Sequence, residues 1–450
     1  MRFLPDSAEL NAVVLGMGYV GSCVAAALAD RGVRVTGVDV DPGLVAELAG
    51  RYCRYSEAGL AGLLNSGLDA GTLRVGTDYA AVRDADVVIV AVGTPIRDAG
   101  ELDDSQLAGA CRELSRWLRP GQLLIFKSTV PPGRTRELVV PILESGGLAC
   151  GTDFGLAFCP ERLSEGTALR ELAEFPIVVG GWDGDSAAAA AAFWRRTIGV
   201  PVIPCASPEA AELVKLADNW WIDHNIALAN ELAKLCGAFD VDVLDVIEAA
   251  NSIPKGNGNV NILLPGVGVG GSCLTKDPWM TWRAARARGV ELRTIPVARE
   301  VNDGMPAHTA GLILDGLADL GRAPDRAVVA IMGLAFKNDT GDLRATPTRD
   351  VVDNLRDAGV DVRLYEPLSR PEELERTFGM KARETLDDAV ADADCIAVLA
   401  RHREFDAVDF AALRRLAADP CLLFDGRAHY PRERVRELED AGYVYRGIGR

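Results

Sequence analysis

The sequence lacks an excess of positive charge. Its 48 Lys and Arg residues are outnumbered by 65 Asp and Glu residues, which gives a formal net charge of −17 and a pI near 4.8. A chain of this charge repels phosphate polymers and anionic lipid surfaces, so no nucleic acid or membrane partner is expected. Any anionic substrate must be held by a few local cations. The 450 residues, 48% of them apolar, allow two or three globular domains.

Paired cysteines are also missing. The ten cysteines are scattered, without a CxxC pair or the spacing of metal ligands. This pattern indicates reduced thiols in a cytoplasmic protein rather than a disulfide framework, and it predicts no bound metal.

No segment reads convincingly as a membrane span or signal peptide. Residues 12–29 carry no charge, but Asp6 and Glu9 precede them, small residues interrupt them, and Asp30-Arg31-Gly32 closes the run. A dinucleotide-binding turn explains the segment better.

The segment AVVLGMGYVG combines a buried strand, residues 12–16, with a GxGxxG turn. Gly16 would make the tight turn, Gly18 would let the backbone approach a pyrophosphate, and Gly21 would pack closely under a helix. A second strand ends at Asp39, which can accept a hydrogen bond from a ribose 2′-hydroxyl. An acid at this position favours NAD over NADP.

Strands and helices continue to alternate after this motif. Residues 85–95 and 122–133 each read as a buried strand, with Thr94 and Thr129 at their carboxyl ends. Because ligands bind beyond the carboxyl ends of parallel strands, both threonines are expected to face the site.

A long helix follows the first α/β region. Ser207 and Pro208 signal its start, and its pattern runs to about Cys236, before Gly237. Lys215 and Asn219 are four residues apart on one face of this helix, where they could form either a solvated surface or part of a site.

A second α/β unit begins after residues 294–303 and repeats the strand pattern without GxGxxG. The predicted fold is therefore α/β, with two Rossmann-like doubly wound domains joined by a long central helix. We expect an NAD-binding domain at residues 1–204, a central helical region at 205–305, and a second Rossmann-like domain at 306–450. Lys337 and Arg344 could bind a nucleotide there, or could be ordinary surface charges.

The segment PGVGVGGSCLTKDPW, residues 265–279, places four glycines before Cys273 and then Lys276-Asp277. Alone it fits either a turn with a buried cysteine or a reactive thiol.

Taken in order, these motifs resemble the nucleotide-sugar 6-dehydrogenases, the family of UDP-glucose and UDP-N-acetylmannosamine dehydrogenases. The likeness covers nearly the whole chain: GMGYVG, SEAGL, VGTP, STVPPG, CPERLSEGTAL, ELVKLADN, GVGVGGSCLTKD and GLAFKNDTGDLR. The resemblance implies a homodimer formed through the central helix, a dimerisation and catalytic-loop region at residues 205–305, and a nucleotide-sugar (UDP)-binding domain at residues 306–450. It also implies a four-electron oxidation of a sugar CH2OH to a carboxylate, with NAD as cofactor.

The resemblance assigns Cys273 as the nucleophile that holds the aldehyde as a thiohemiacetal and then a thioester. Lys215 and Asn219 would stabilise the oxyanion. Asp277 would be the base of the first oxidation, through a water oriented by Thr129. The predicted catalytic residues are Cys273, Lys215, Asn219, Asp277, Glu161 (for thioester hydrolysis) and Thr129. The predicted cofactor-binding residues are Gly16, Gly18, Tyr19, Val20, Gly21, Asp39, Thr94, Thr129 and Glu165. The predicted substrate-binding residues are Glu161, Lys215, Asn219, Gly270, Lys337 and Arg344. Lys276 matches a family cation of unassigned role.

The sugar stays open at this point. Ser272-Cys273 and SEGTAL look like UDP-glucose dehydrogenase, which is slightly favoured, whereas CPER and residues 260–271 look like the N-acetylhexosamine enzymes. A dTDP-hexose is a further alternative. Two other classes are a two-electron hydroxyacid-type NAD dehydrogenase, which needs no thiol, and a non-catalytic sugar-nucleotide-binding protein, which would not need Cys273, Lys215 and Asp277.

Overall fold

Apolar runs near the positions expected from the sequence form the strands of a first sheet. The computed structural model describes residues 2–7, 9–97, 101–256, 258–428 and 430–450. The strands of this sheet are β1 Asn11–Leu15, β2 Arg34–Val38, β3 Leu73–Gly76, β4 Val87–Val90, β5 Leu123–Phe126, β6 Gly155–Phe158, β7 Ile177–Gly181 and β8 Val202–Cys205. The central strands β4 and β5 are buried at every residue, as strands covered on both faces must be.

The strand order of the first sheet is β3-β2-β1-β4-β5-β6-β7-β8. The order reverses between β1 and β4, which is the switch point where doubly wound sheets bind ligands. All neighbours are parallel except β6 and β7, which are antiparallel. Because β7 therefore starts at the edge where β6 ends, residues 159–176 stay along the carboxyl-end edge of the sheet.

Seven helices of the described residues accompany this sheet, with short 3-10 turns between some of them. They are α1 Tyr19–Asp30, α2 Pro42–Ala49, α3 Leu60–Ala70, α4 Ser105–Trp117, α5 Val140–Glu144, α6 Ala168–Glu174 and α7 Gly184–Thr197. A π-helical turn, Thr135–Val139, leads into α5.

The long helix α8 spans Pro208–Ala238. It starts where the sequence predicts and ends two residues beyond Cys236, because Gly237 remains helical. The elements that follow are α9 Val243–Asn251, the hairpin strands β9 Pro254–Lys255 and β10 Gly258–Asn259, α10 Asp277–Ala287, α11 Thr294–Asp303 and α12 Met305–Asp319.

A second, five-stranded sheet has the order β12-β11-β13-β14-β15 and is parallel throughout. Its strands are β11 Val328–Met332, β12 Asp361–Tyr365, β13 Cys395–Val398, β14 Cys421–Asp425 and β15 Tyr443–Gly447, and its helices are α13 Pro347–Asp357, α14 Pro371–Phe378, α15 Leu386–Val390, α16 Phe410–Arg414 and α17 Arg432–Asp440. The fold is thus the predicted pair of Rossmann-like sheets with a long central helix.

The chain divides into two compact units. The first comprises Met1–Asp218 and Met280–Val290, and the second comprises Asn219–Trp279 and Glu291–Arg450. Helices α8 and α10 contribute residues to both units.

A buried polar network inside the second unit connects α8 and α11 to the glycine-rich segment before Cys273. Asp223 accepts hydrogen bonds from Arg299 (2.7 Å) and from the Asn302 side-chain amide (2.9 Å). Asn230 receives the backbone N–H of Gly266 at 2.9 Å and donates to Asn302 at 2.9 Å. The Asp223 and Arg299 side chains are 1% and 3% exposed. Breaking this pair would leave an uncompensated charge in the interior.

We therefore expect Asp223→Asn to lower the free energy of unfolding of the second unit by about 3–5 kcal/mol, the usual cost of breaking a buried ion pair. Urea denaturation measures the change. The matched control is Asp303→Asn. Asp303 is the other carboxylate partner of Arg299, and the Asp303 side chain is 60% exposed. Loss of that exposed contact should cost under about 1 kcal/mol. Equal effects of the two substitutions would contradict this account.

Candidate active site

The loop after β1 has the geometry of a pyrophosphate-binding turn. Gly16 has φ of +90°, and a Cβ added there would lie 2.8 Å from the carbonyl oxygen of Ala91. A Cβ at Gly21 would lie 1.8 Å from the Gly16 oxygen, whereas one at Gly18 would meet nothing within 4 Å. The loop is therefore tight where it turns and open where a phosphate would approach the start of α1.

A cavity of about 580 Å³ adjoins this turn within the first unit and is bordered by Gly16, Gly18 and Asp39. Asp39 follows β2 and accepts the backbone N–H groups of Met17 (2.7 Å) and Asp41 (2.9 Å). Its carboxylate is half-buried and can also accept from a ribose hydroxyl, while it would repel a 2′-phosphate. The donor-rich turn, the cavity and the acid together fit NAD.

Tyr19, which the sequence predicts to contact the cofactor, forms a hydrogen bond with the segment that follows β6. Its hydroxyl donates to Glu57 of the SEAGL motif and accepts the backbone N–H of Gly166 at 3.1 Å. Glu57 also accepts the N–H of Leu169 at 3.2 Å, and burial raises the pKa of Tyr19. The pair thereby holds the loop that carries Glu165. Glu57 belongs to the SEAGL motif, from which the sequence alone did not predict this contact.

Glu161 and Lys215 form an ion pair in the first unit, with 3.2 Å between Lys215 Nζ and Glu161 Oε1. Glu161 Oε1 also accepts the backbone N–H of Leu163 at 3.0 Å. Both side chains are largely buried, and their opposite charges stabilise each other. If Lys215 stabilises an oxyanion, as expected from the sequence, it does so while it is also in contact with the Glu161 carboxylate.

A buried lysine near this pair was not singled out from the sequence. Lys127 follows β5, donates to the carbonyl oxygen of Cys159 at 3.2 Å, and lies over the Trp194 ring at 5.2 Å from its centroid. Burial lowers its pKa, with a further contribution from the positive charge of Lys215. The sequence feature that could have indicated Lys127 is its position as the one charged residue of the apolar run LLIFKSTV. Thr129, two residues later, is half-buried, and Thr94 is buried just after β4.

All ten cysteines are free thiols, and Cys273 is the one among them that is exposed. Its carbonyl oxygen accepts the backbone N–H groups of Lys276 (3.1 Å) and Asp277 (2.8 Å), so the thiol precedes α10 by one turn. Thr275 adds a hydroxyl bond to the Gly271 carbonyl at 2.7 Å. The buried-cysteine interpretation of this segment is thus incorrect.

Asp277 is 1% exposed and is flanked by two donors in the second unit. The side-chain amide of Asn219 donates to Oδ2 at 2.6 Å, and Lys276 Nζ lies 3.2 Å from Oδ1. Lys276, whose role the sequence left open, is therefore the ion partner of Asp277. Asn219, expected to donate to the oxyanion, instead orients this carboxylate in the present structure.

The glycines before Cys273 allow close packing within the second unit. A Cβ at Gly270 would lie 2.5 Å from Phe336 Cβ, and one at Gly271 would lie 2.7 Å from the Phe336 ring. The N–H of Gly271 donates to the Arg344 carbonyl at 3.0 Å. The thiol loop therefore rests on the loop after β11, which carries Lys337 and Arg344.

The two predicted nucleotide-binding cations differ in surroundings. Lys337 is half-buried. Arg344 is exposed, and its Nε lies 2.9 Å from both carboxylate oxygens of Asp342. Within the described residues there is no group of three His, Cys, Asp or Glu side chains that could hold a metal ion, and no helix is long and apolar enough to cross a membrane.

A Rossmann unit with an NAD-type turn, followed by a second α/β unit carrying an exposed thiol, is typical of an NAD-dependent dehydrogenase. Three family models match consecutive parts of the chain: UDP-glucose/GDP-mannose dehydrogenase family, NAD binding domain (residues 10–198), central domain (209–304) and UDP binding domain (330–432). The chain belongs to the UDP-glucose/GDP-mannose dehydrogenase family and is an NAD-dependent nucleotide-sugar dehydrogenase.

Individual relatives carry two different sugar names. The chain is 31% identical over 441 residues to UDP-N-acetyl-D-mannosamine dehydrogenase of Pyrococcus horikoshii, covering 98% of this chain and 99% of that one. It is 34% identical over 425 residues to UDP-glucose 6-dehydrogenase of Haloferax volcanii, covering 92% and 96%.

Two of the similar solved structures carry the same two sugar names. The structure of the UDP-D-ManNAc dehydrogenase from Pyrococcus horikoshii matches with a TM-score of 0.87 and 32% identity, covering 98% of this chain and 99% of that chain. A UDP-glucose dehydrogenase from Pyrobaculum islandicum matches with a TM-score of 0.85 and 29% identity, covering 99% and 98%.

Asp39→Ser should weaken the preference for NAD, because it removes the carboxylate that repels a 2′-phosphate. We expect the ratio of kcat/KM with NAD to kcat/KM with NADP to fall at least about tenfold, or ~1.4 kcal/mol. Asp41→Ser is the matched control, since Asp41 caps α2 by accepting from Gly43. An unchanged ratio in Asp39→Ser would show that Asp39 does not read the ribose.

Proposed function

We propose that this chain oxidises the C6 hydroxymethyl group of a UDP-hexose to the uronic acid in two successive NAD-dependent steps, with the intermediate held on Cys273. The observation that carries the proposal is the exposed Cys273 thiol one turn before the buried Asp277, which Asn219 and Lys276 hold. A soft nucleophile can retain an aldehyde covalently, and a carboxylate held in a fixed orientation can act as the base of an oxidation.

Asp277 is the proposed base of the first oxidation. It takes the C6 hydroxyl proton through a water that Thr129 orients, and the amide of Asn219 keeps its Oδ2 in position. NAD, when bound, accepts the two electrons of each oxidation as hydride.

Cys273 then forms an Sγ–C6 bond with the aldehyde to give a thiohemiacetal, and Lys215 stabilises the oxyanion. The second oxidation turns this adduct into a thioester. Water cleaves the C6–Sγ bond with assistance from Glu161, which releases the acid and restores the thiol. The balance is two NAD and one water consumed for each sugar oxidised.

The UDP group is proposed to bind the loop after β11, with Lys337 and Arg344 meeting the diphosphate. Charge supports this assignment, because a chain of net charge −17 must supply cations locally for a diphosphate. The guanidinium of Arg344 is already held in place by Asp342, so binding needs little further ordering.

UDP-glucose and UDP-N-acetyl-D-mannosamine are the two leading candidates, and UDP-N-acetylglucosamine and dTDP-glucose are the further alternatives. Ser272, directly before Cys273, favours UDP-glucose, as the resemblance of SCLTKD to that branch implies. The long match to the Pyrococcus horikoshii enzyme favours UDP-N-acetyl-D-mannosamine. The two sugars differ at C2, where an acetamido group needs more space and a hydrogen-bond partner.

We also propose a homodimer formed through α8, in a cytoplasmic protein. Trp221, Leu228 and Leu235 succeed each other at intervals of seven along α8, and their side chains are 49%, 48% and 56% exposed. A row of large apolar side chains on one helix face is a typical site of helix–helix association.

The direct test is incubation of the protein with NAD and a limiting amount of UDP-glucose, UDP-N-acetylmannosamine, UDP-N-acetylglucosamine or dTDP-glucose, with products identified by mass. We expect two NADH and one uronic acid for each molecule of the true substrate. One NADH with a free aldehyde or ketone would contradict the four-electron reaction, and no turnover with any of these sugars would contradict the function.

Cys273→Ala should lower acid formation by about a thousandfold or more, since the second oxidation loses its covalent intermediate. Affinity for UDP, measured by calorimetry, should not change. Cys273→Ser should stall after the first oxidation and accumulate a hemiacetal or release aldehyde. Cys205→Ala, which removes a half-buried thiol elsewhere, is the control. Near-normal acid formation by Cys273→Ala would exclude the thiol from the reaction.

A further inference from the structure

The second sheet carries an acid at the position that Asp39 occupies in the first. Asp39 follows β2, the neighbour of β1, and Glu366 follows β12, the neighbour of β11. Both carboxylates accept a backbone N–H from the loop after the first strand: Met17 donates to Asp39 and Leu334 donates to Glu366, each at 2.7 Å. In a dinucleotide-binding unit this acid contacts the ribose.

Both carboxylate oxygens of Glu366 accept hydrogen bonds from backbone N–H groups of the second unit. Its Oε2 accepts Leu334 N–H and a longer bond of 3.3 Å from Ala335 N–H, and its Oε1 accepts Leu368 N–H at 2.9 Å. The side chain is completely buried. Whereas Asp39 borders a cavity, Glu366 has no exposed oxygen with which to receive a ribose hydroxyl, so the acid shapes the loop instead.

His402 connects Glu366 to the far end of the same loop. Its ring is completely buried, with Nε2 3.0 Å from Glu366 Oε2, and its Nδ1 accepts the backbone N–H of Asp339 at 2.9 Å. A ring nitrogen that accepts an N–H carries no proton, so the proton is on Nε2 and is donated to Glu366. One side chain thus holds a carboxylate and a loop amide together.

The residues on either side of His402 in the sequence also form hydrogen bonds with this loop, at Asn338 and Asp339. The backbone N–H of Arg401 donates to the Asn338 side chain at 3.0 Å, and that of Arg403 donates to the Asp339 carboxylate at 2.7 Å. Asp339 has φ of +59°, a conformation that a residue with a side chain adopts at a cost. These bonds keep the residues directly after Lys337 in an otherwise unfavourable backbone shape.

The loop so held supports the thiol segment. Phe336 lies between the Glu366 contacts and Lys337, and it is the side chain against which Gly270 and Gly271 pack. The Arg344 carbonyl at the end of the loop receives the N–H of Gly271. Displacement of residues 334–340 would therefore move Lys337 and disturb the support beneath the residues that precede Cys273.

We propose that Glu366 and His402 are positioning residues for nucleotide binding: together they fix the loop of residues 334–340, so that Lys337 meets the diphosphate. The proposal rests on the proposed function, since it takes Lys337 as a nucleotide contact. It also explains why the second unit cannot bind a dinucleotide as the first does, because its acid is used internally.

Variants of His402 test the two hydrogen bonds separately, with UDP as the probe. His402→Ala removes both bonds and should raise the Kd for UDP, measured by calorimetry, at least about tenfold, while the Kd for NAD is unchanged. His402→Asn keeps an acceptor near the Nδ1 position for Asp339, and His402→Gln keeps a donor near the Nε2 position for Glu366. Each should restore part of the lost affinity.

Hydrogen exchange supplies a readout that needs no ligand. The amides of Leu334, Ala335 and Asp339 should exchange faster in His402→Ala, without a general increase across the second unit. The matched control is His308→Ala, which removes a half-buried histidine of α12 outside these contacts and should change neither the Kd for UDP nor the exchange of this loop.

The outcomes separate this proposal from the proposed function. Unchanged UDP affinity in His402→Ala would overturn the positioning role, and so would a loss that neither Asn nor Gln restores, since that is the mark of general destabilisation. Failure of the unsubstituted protein to bind UDP at all would instead overturn the proposed function, and with it the nucleotide role of the loop.

Discussion

Both α/β units depend on one interaction, in which a carboxylate at the end of the second strand accepts a backbone N–H from the loop after the first strand. This bond fixes the loop that a nucleotide approaches, and the two units use it differently. In the first unit Asp39 keeps a face toward the cavity, so the acid that shapes the turn can also select the cofactor. In the second unit Glu366 is enclosed and receives His402 as an additional donor, so selectivity must come from the loop itself.

The thiol segment illustrates how packing within the second unit serves chemistry. Its glycines do not simply make turns: Gly270 and Gly271 are required because Phe336 occupies the space that a Cβ would fill. The N–H of Gly266 is bonded to Asn230, a member of the buried network around Asp223 and Arg299. The segment is therefore anchored at one end to α8 and at the other to the loop after β11. Because both anchors are buried, Cys273 can be exposed without its backbone being loose.

Much of this architecture could be predicted from the sequence, because it follows from local patterns. Buried strands, the GxGxxG turn and the start of α8 each carry a signal within a few residues, and the structure has them at or near the expected positions. The partners of the site residues could not be predicted in the same way. Asn219 and Asp277 are 58 residues apart, and Tyr19 and Glu57 are 38 apart, so no periodicity links them. Residues 175–181 read as a strand from their own apolar pattern, and β7 lies there, but its antiparallel direction could not be predicted, since a strand's direction depends on its neighbour rather than on its own residues.

The charged residues assigned to the proposed reaction divide into two kinds, and the difference bears on an acidic protein that must hold an anion. Lys215 with Glu161 and Lys276 with Asp277 are mostly buried pairs, in which each charge is stabilised by its partner and would be costly to leave alone. Such pairs orient groups, but they do not readily exchange a carboxylate for a phosphate. Arg344 is different, because its guanidinium is 58% exposed, although the Asp342 carboxylate that holds it is buried. In the proposed function the exposed guanidinium therefore keeps its contact with Asp342 while it captures the diphosphate from solvent, and the buried pairs take part in the chemistry.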